Sequence, residues 1–239
     1  MSPTNNRPAS VTNPYRHELK YIITEGEHAI LSRRLRMTMA QDVNAAKAGG
    51  EYHIRSLYFD DPYDKAMQEK EDGVEVRDKY RIRIYNHSDA TIKLERKHKF
   101  DQYIQKSSLS LTREECDSIL AGNYRFLLDR PEPFAGHMFK MFTVDRISPK
   151  VLVDYTREPY VFPVEDVRIT FDKDIRTAMR STDLFNPNVP TYPVSNLKNC
   201  MVLEVKFNRY LPYYISTLIQ VGAADHSAVS KYLYCRSYE

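Results

Sequence analysis

The chain has no tryptophan, three cysteines and only seven glycines in 239 residues. Cys116, Cys200 and Cys235 are far apart, odd in number and form no CxxC pair, which excludes a disulfide framework and a cysteine zinc site. They read as reduced thiols, and the expected compartment is cytoplasmic. So few glycines, with no GxxxxGK[ST] and no GxGxxG, exclude a glycine loop cradling phosphates. A nucleotide would have to be held by side chains. HExxH and GxSxG are absent too, and the seven histidines are scattered without metal-ligand spacing. No apolar run reaches the ~18–20 residues that span a bilayer, and the N-terminus lacks a signal-peptide core. A membrane-protein partner is still compatible with this. The formal net charge of +3 excludes a strongly basic nucleic-acid binder. Any electropositive site is therefore local.

What is present is 28% charged and 42% hydrophobic residues, the balance of a globular protein. Residues 1–13, polar and proline-containing, are expected to be a disordered tail. Residues 14–239 are expected to form a single domain. "YRHELKYII" opens as a strand, and Thr24 with Glu27 forms a capping-box pattern before a helix. "NAAKAGGE" reads as a loop, "YHIRSLYFDD" as a strand and "YDKAMQEKE" as a short helix. "VRDKYRIRIYN" and "TIKLERKHK" flank a turn at "NHSDA" and should pair as a hairpin, with "QYIQKSSLSL" continuing the meander. Thr112 and Glu115 repeat the capping box, and "PFAGHMFKMF" is a further helix. Strands return at "VLVDYTREPYVF", "VRITFDKDI" and "MVLEVKFN", and the C-terminus reads as helix over "YYISTLIQVGA" and "HSAVSKYLYC". Many antiparallel strands with few helices make the fold class α+β, as a barrel or strongly curved sheet.

Alternation along these strands separates two faces. Arg16, Glu18 and Lys20 share one face of the first strand. Arg81 and Arg83 lie opposite Ile82 and Ile84. Lys93, Glu95 and Lys97 alternate with Ile92 and Leu94. Arg168, Thr170 and Asp172 alternate with Val167, Ile169 and Phe171. Glu204 and Lys206 alternate with Leu203, Val205 and Phe207. An ordinary wet face would carry ion pairs worth about 0–1 kcal/mol each. These faces, however, hold few Ser, Thr, Gln or Asn. If helices cover the apolar side, the charged side faces inward. Clustered cations then need counter-ions, because unpaired buried charge is very costly. Arginine suits phosphate, since guanidinium donates paired hydrogen bonds to its oxygens. Glu18, Glu95 and Glu204 are hard oxygen ligands suited to Mg²⁺ or Mn²⁺. Together they match the needs of phosphoryl transfer. Asp172 reads as a structural ion-pair or turn residue, and Tyr21, Tyr58 and Phe59 as packing.

These residues resemble the triphosphate tunnel metalloenzymes, whose first strand carries ExExK. Here it stands as Arg16–His17–Glu18–Leu19–Lys20, with Arg16 in place of the first acid. That change, and the ordered series "RHELKY", "IRSLYFDD", "YRIRIYN", "KLERK", "YTREPY", "VRITFDKDIRT", "VLEVKF" and "SKY", resembles the VTC domain. This is the polyphosphate polymerase module of the vacuolar transporter chaperone complex and its stand-alone bacterial relatives. The resemblance implies an antiparallel, closed β-barrel tunnel of about eight strands with helices outside. It implies catalytic roles for Lys20, Arg81, Arg83, Arg168 and Glu204, and substrate contacts from Lys97, Lys106, Arg157, Lys206, Ser230 and Lys231. Glu204 would be the principal metal ligand, with Glu95 and Glu18 beside it. The implied reaction moves the ATP γ-phosphate onto a polyphosphate chain. Two alternatives stay open: a tripolyphosphate or nucleoside triphosphate hydrolase of the same architecture, and a non-catalytic polyphosphate- or RNA-binding module. The interleaved acids argue against the last, because they repel a polyanion unless a metal is bound.

Overall fold

In a computed structural model the described residues are 16–101, 103–220 and 229–237. The expected tail lies outside them. The elements run β1 (His17–Thr24), α1 (Glu25–Arg36), β2 (Ala40–Gln41), α2 (Val43–Lys47), β3 (Tyr52–Asp60) and α3 (Lys65–Glu71). The meander β4 (Val76–Tyr85), β5 (Ser88–Phe100) and β6 (Tyr103–Leu111) follows, then α4 (Arg113–Leu120) and α5 (Pro133–Thr143). The chain closes with β7 (Ser148–Phe162), β8 (Val167–Met179), β9 (Tyr192–Pro193), β10 (Cys200–Phe207), α6 (Tyr213–Leu218) and α7 (Lys231–Arg236).

One 10-stranded sheet carries everything, in the order β1-β10-β8-β7-β3-β4-β5-β6, with β2 added to β7 and β9 to β8. Every pairing is antiparallel. The ends of the order approach one another: Arg16 bridges to Ile104, and Lys97 of β5 reaches Glu18 of β1. No ladder joins β1 to β6 among the described residues. The sheet is curled, but hydrogen bonds do not close it into the expected barrel.

Alternation decides what each face meets. On the convex side, Ile82, Ile84, Ile92, Leu94, Leu109 and Leu111 pack with Cys116 and Ile119 of α4 and Met138 and Phe142 of α5. A second outer cluster joins Ile169, Phe171, Leu203 and Val205 to Leu31 and Leu35 of α1 and Ile215 of α6. Fully burying one such side chain contributes about 1.5–3 kcal/mol. On the concave side, Ile54, Val151, Val153, Tyr155, Ile175 and Val202 are apolar, and α7 fills that part through Tyr232 and Cys235. Tyr232 also donates to Asp60 Oδ2 (2.6 Å), whose carboxylate accepts the amides of Ala66 and Met67 at the start of α3. One buried carboxylate thus ties α7 to α3.

The capping boxes form as read. Thr24 Oγ1 accepts from Glu27 N (3.3 Å) while Glu27 Oε2 accepts from Thr24 N (2.8 Å), and Thr112 with Glu115 repeats the pattern. Thr24→Ala is expected to cost about 1 kcal/mol, read as a lower urea midpoint at unchanged slope. Two boundaries differ from expectation. "NAAKAGGE" contains α2, because Asp42 Oδ1 accepts from Asn44 N (3.0 Å) and caps a short helix before Gly49 and Gly50 turn the chain. At the C-terminus α6 and α7 are six residues each, and the stretch between them, 221–228, lies outside the described residues.

Candidate functional site

The polar half of the concave face is a cavity of about 650 Å³. Lys20, Arg81, Arg83, Arg168, Glu204, Lys97, Lys106, Arg157, Lys206, Ser230, Lys231, Glu95 and Glu18 all line it. The curl brings strands that are distant in sequence onto one surface. Arg81 and Arg83 point inward, their side chains 17% and 9% exposed, while Ile82 and Ile84 enter the outer core.

Each inner carboxylate is shared among cations. Glu95 accepts from Arg81 Nε (2.8 Å), lies 3.7 Å from Arg83 Nε and pairs with Lys106. Glu18 takes Lys97 at 2.7 and 2.8 Å and Lys20 at 3.1 Å. Asp172 receives both arms of Arg157, at 2.7 and 2.8 Å, and Lys231. Glu204 accepts from Arg157 Nη2 (3.3 Å) and pairs with Lys206 (3.1 Å). Arg168 pairs with Asp42 (3.2 Å) and donates to the Tyr52 hydroxyl (3.1 Å). Ser230 accepts from Lys79 Nζ (2.7 Å) and caps α7.

Charge fixes the protonation states. Burial and Glu204 push the Glu18 carboxyl up, but Lys97, Lys20 and Lys206 outweigh them and hold it below its usual range. Glu204 is held far lower, as Lys206, Lys20 and Lys231 overcome burial. Both carboxylates are ionised. Burial, with repulsion from Lys20 and Lys206, outweighs Glu18 and Glu204 at Lys97 and brings it down to about 8.

A pH experiment follows from Lys97. An unfolded lysine titrates near ~10.4, so between pH 8 and 10 the unfolded chain holds more protons at this position than the folded one. Ligand-free stability should therefore rise with pH across that window. A bound polyanion favours the charged ammonium, so tripolyphosphate affinity should fall across the same window. Thermal melts and calorimetry from pH 7.5 to 9.5 would test this. Both trends should flatten in Lys97→Met, and parallel trends would refute the assignment.

Glu18 and Glu204 are diagonal neighbours on β1 and β10, close enough to act on each other's charge. They suit a hard divalent cation of the kind bound by one or two carboxylates plus substrate phosphates. Among the described residues no group of three or more His, Cys, Asp or Glu is arranged to hold a metal. Glu95, the third expected ligand, lines the same cavity and, like the other two, is paired with cations: Arg81, Arg83 and Lys106.

Sequence reasoning missed several members. Lys79 and Arg77 extend the Arg83–Arg81 row towards the start of β4, and the alternation already showed it. Among the described residues Lys79 meets no carboxylate; it lies 5.3 Å over the Tyr232 ring and is pushed far down by burial and by Lys20 and Lys97. Tyr58, read as packing, accepts from Arg81 Nη1 (2.9 Å) and lines the cavity with Tyr52, Tyr85 and Tyr155. Asp172, read as a structural ion-pair or turn residue, is fully buried and pairs with Arg157 and Lys231, which line the cavity. A second hollow of about 500 Å³ lies beside α1. There Glu158 is already satisfied by His28, Arg36, Tyr160 and Lys173.

The curled antiparallel sheet thus carries α1, α4, α5 and α6 on its convex side, not every helix as expected, since α7 packs inside beside a hollow lined by cations and shared carboxylates. Residues 15–238 match the family model described as the VTC domain, and the chain belongs to that family. No curated protein matches. Among solved structures, a putative adenylyl cyclase of Hippeastrum, described as having a dominant triphosphatase activity, is 14% identical at a TM-score of 0.56, covering 94% of this chain and 96% of that one. A putative adenylate cyclase of Bacillus halodurans is 11% identical at a TM-score of 0.49, covering 86% and 87%. Among the described residues no helix is long and apolar enough to cross a membrane.

Proposed function

We propose that this VTC domain is a metal-dependent polyphosphate polymerase that moves the γ-phosphate of ATP onto an inorganic polyphosphate chain. The supporting observation is the shared-carboxylate chamber, where cations outnumber acids yet Glu18 and Glu204 stay ionised. Anionic phosphates supply the charge this chamber lacks. Arg81 and Arg83 grip phosphate oxygens, with Glu95 holding both guanidiniums in place. Lys20, Lys97, Lys206 and Arg168 neutralise charge on the transferring phosphoryl group, where fixed cations are worth more than in water. Arg157, Lys231, Lys106 and Ser230 flank the chain. Glu204, with Glu18, would hold Mn²⁺ or Mg²⁺, which supplies Lewis-acid polarisation of phosphate oxygens. The acceptor is the terminal phosphate of the chain, whose oxygen displaces ADP.

The Hippeastrum protein, of like fold and described with triphosphatase activity, favours a second reading in which water takes the acceptor's place. Purified protein with ATP and Mn²⁺ or Mg²⁺ decides between them. ADP with a ladder of polyphosphate on a gel supports the polymerase. ADP with equal free phosphate and no ladder supports hydrolysis, and no turnover rejects both.

A further inference from the structure

Among the described residues, the cations lining the cavity differ in their partners: Arg16, Arg96 and Arg168 pair with acids outside its lining (Asp166, Asp78 and Asp42), and Lys79 donates to Ser230 and meets no carboxylate. Lys20, Lys97, Arg81, Arg83, Lys106, Arg157 and Lys206 each contact a carboxylate that lines the chamber, and Lys231 contacts Asp172, buried behind its wall. Arg77 and Lys99, at the far end of the β4–β5 ladder, and Lys70 of α3 line the same cavity without any such contact. Among the described residues the Arg77 guanidinium donates to the Val74 carbonyl and to no side chain. Glu69 acts on Arg77, and Asp101, Glu18 and Glu75 act on Lys99, through the field alone. Burial and mutual repulsion pull Lys70 down, with Arg77, Lys20 and Lys99 all contributing.

The register sharpens the point. Arg77 stands directly opposite Lys99, and Lys79 directly opposite Lys97. Like charges in directly opposed strand positions destabilise a sheet. On an ordinary wet rim, alternate residues would relieve the repulsion. Here the row Arg83, Arg81, Lys79, Arg77 continues unbroken along β4, over about 20 Å at ~3.3 Å per residue. That is longer than three linked phosphates need. The inner part is balanced by glutamates, and the outer part is not.

We propose that Lys70, Arg77 and Lys99 form a rail outside the carboxylate-balanced chamber that holds the part of a polyphosphate chain beyond the first few phosphates. The rail rests on the reading of the chamber as a phosphate site. It makes the preferred ligand a long inorganic polyphosphate rather than a triphosphate. Lys79, between rail and chamber and bonded to Ser230, links the two.

The test compares wild type with Lys70→Gln/Arg77→Gln/Lys99→Gln. All three side chains are partly exposed, and their removal relieves repulsion, so thermal melts should show no loss of stability. Lys99→Gln alone serves as a second variant should the triple one fail to fold. Calorimetry would use tripolyphosphate and a long-chain polyphosphate at two salt concentrations. The triple variant should lose at least tenfold in long-chain affinity, with a shallower salt dependence, and change less than twofold for tripolyphosphate. Lys99→Gln should show the same selectivity at smaller size. Equal loss for both ligands, or no loss for either, overturns the rail while leaving the chamber intact. If wild type binds neither ligand, the chamber reading fails and the rail with it.

Discussion

Glu204→Gln should lower turnover of ATP by roughly 10²–10³-fold, the range seen when one preorganised electrostatic group is removed from a reacting centre. Glu204 is buried on β10, opposite Lys20 across the β1 ladder, and pairs with Arg157 and Lys206. Glutamine preserves the shape and can still accept from Arg157, but it removes the negative charge that would hold a divalent ion beside Glu18. The same change leaves Lys20, Lys206 and Lys231 with less compensating charge, so tripolyphosphate should bind equally well or more tightly when metal is absent. Steady-state assays with Mn²⁺ titration, alongside calorimetry in chelator, separate the two effects. Full activity at saturating metal would eliminate Glu204 as the metal-holding acid. A binding module would show the tighter binding with no turnover to lose.

Asp172→Ala should destabilise the protein by about 3–5 kcal/mol, the usual result of removing one partner from a buried ion pair. Its carboxylate is fully buried and serves both Arg157 and Lys231. Without it both cations keep their burial and lose their counter-charge. Against a typical total of about 5–15 kcal/mol, this approaches loss of the fold. Urea unfolding measures it directly, and a change below about 1 kcal/mol would show that solvent already reaches the pair. Tripolyphosphate should protect this variant more than wild type, because a ligand that replaces the missing charge binds only the native state.

The inward arginines were legible in "YRIRIY" because alternation is a property of one strand. So was the mixed face of β10, and so were both capping boxes. The Glu18–Lys97 contact was not, since it depends on how β1 and β5 meet after the sheet curls. The closed ring was expected from resemblance, and alternation says nothing about how two edges are joined. Arg77 and Lys79 belonged to a row already visible, yet a strand's start is where pattern reading stops earliest. Tyr58 was assigned to packing because an aromatic ring on a strand carries no sign of where its hydroxyl ends. α2 is hard to read from sequence because it is only five residues long and ends at a Gly-Gly pair, which by itself signals a loop.

The open edge between β1 and β6 has a mechanical meaning. A ring closed by a full ladder has a girth fixed by its strand count and stagger. Among the described residues this wall is fastened by side-chain contacts such as Lys97–Glu18 and His17–Tyr103 and by the single Arg16–Ile104 bridge, more like a belt on buckles than a hoop. On the proposed function, an anion that attracts Lys97 would draw on one of these contacts. The girth of the wall at this edge is therefore set by side-chain contacts and one bridge rather than by a ladder.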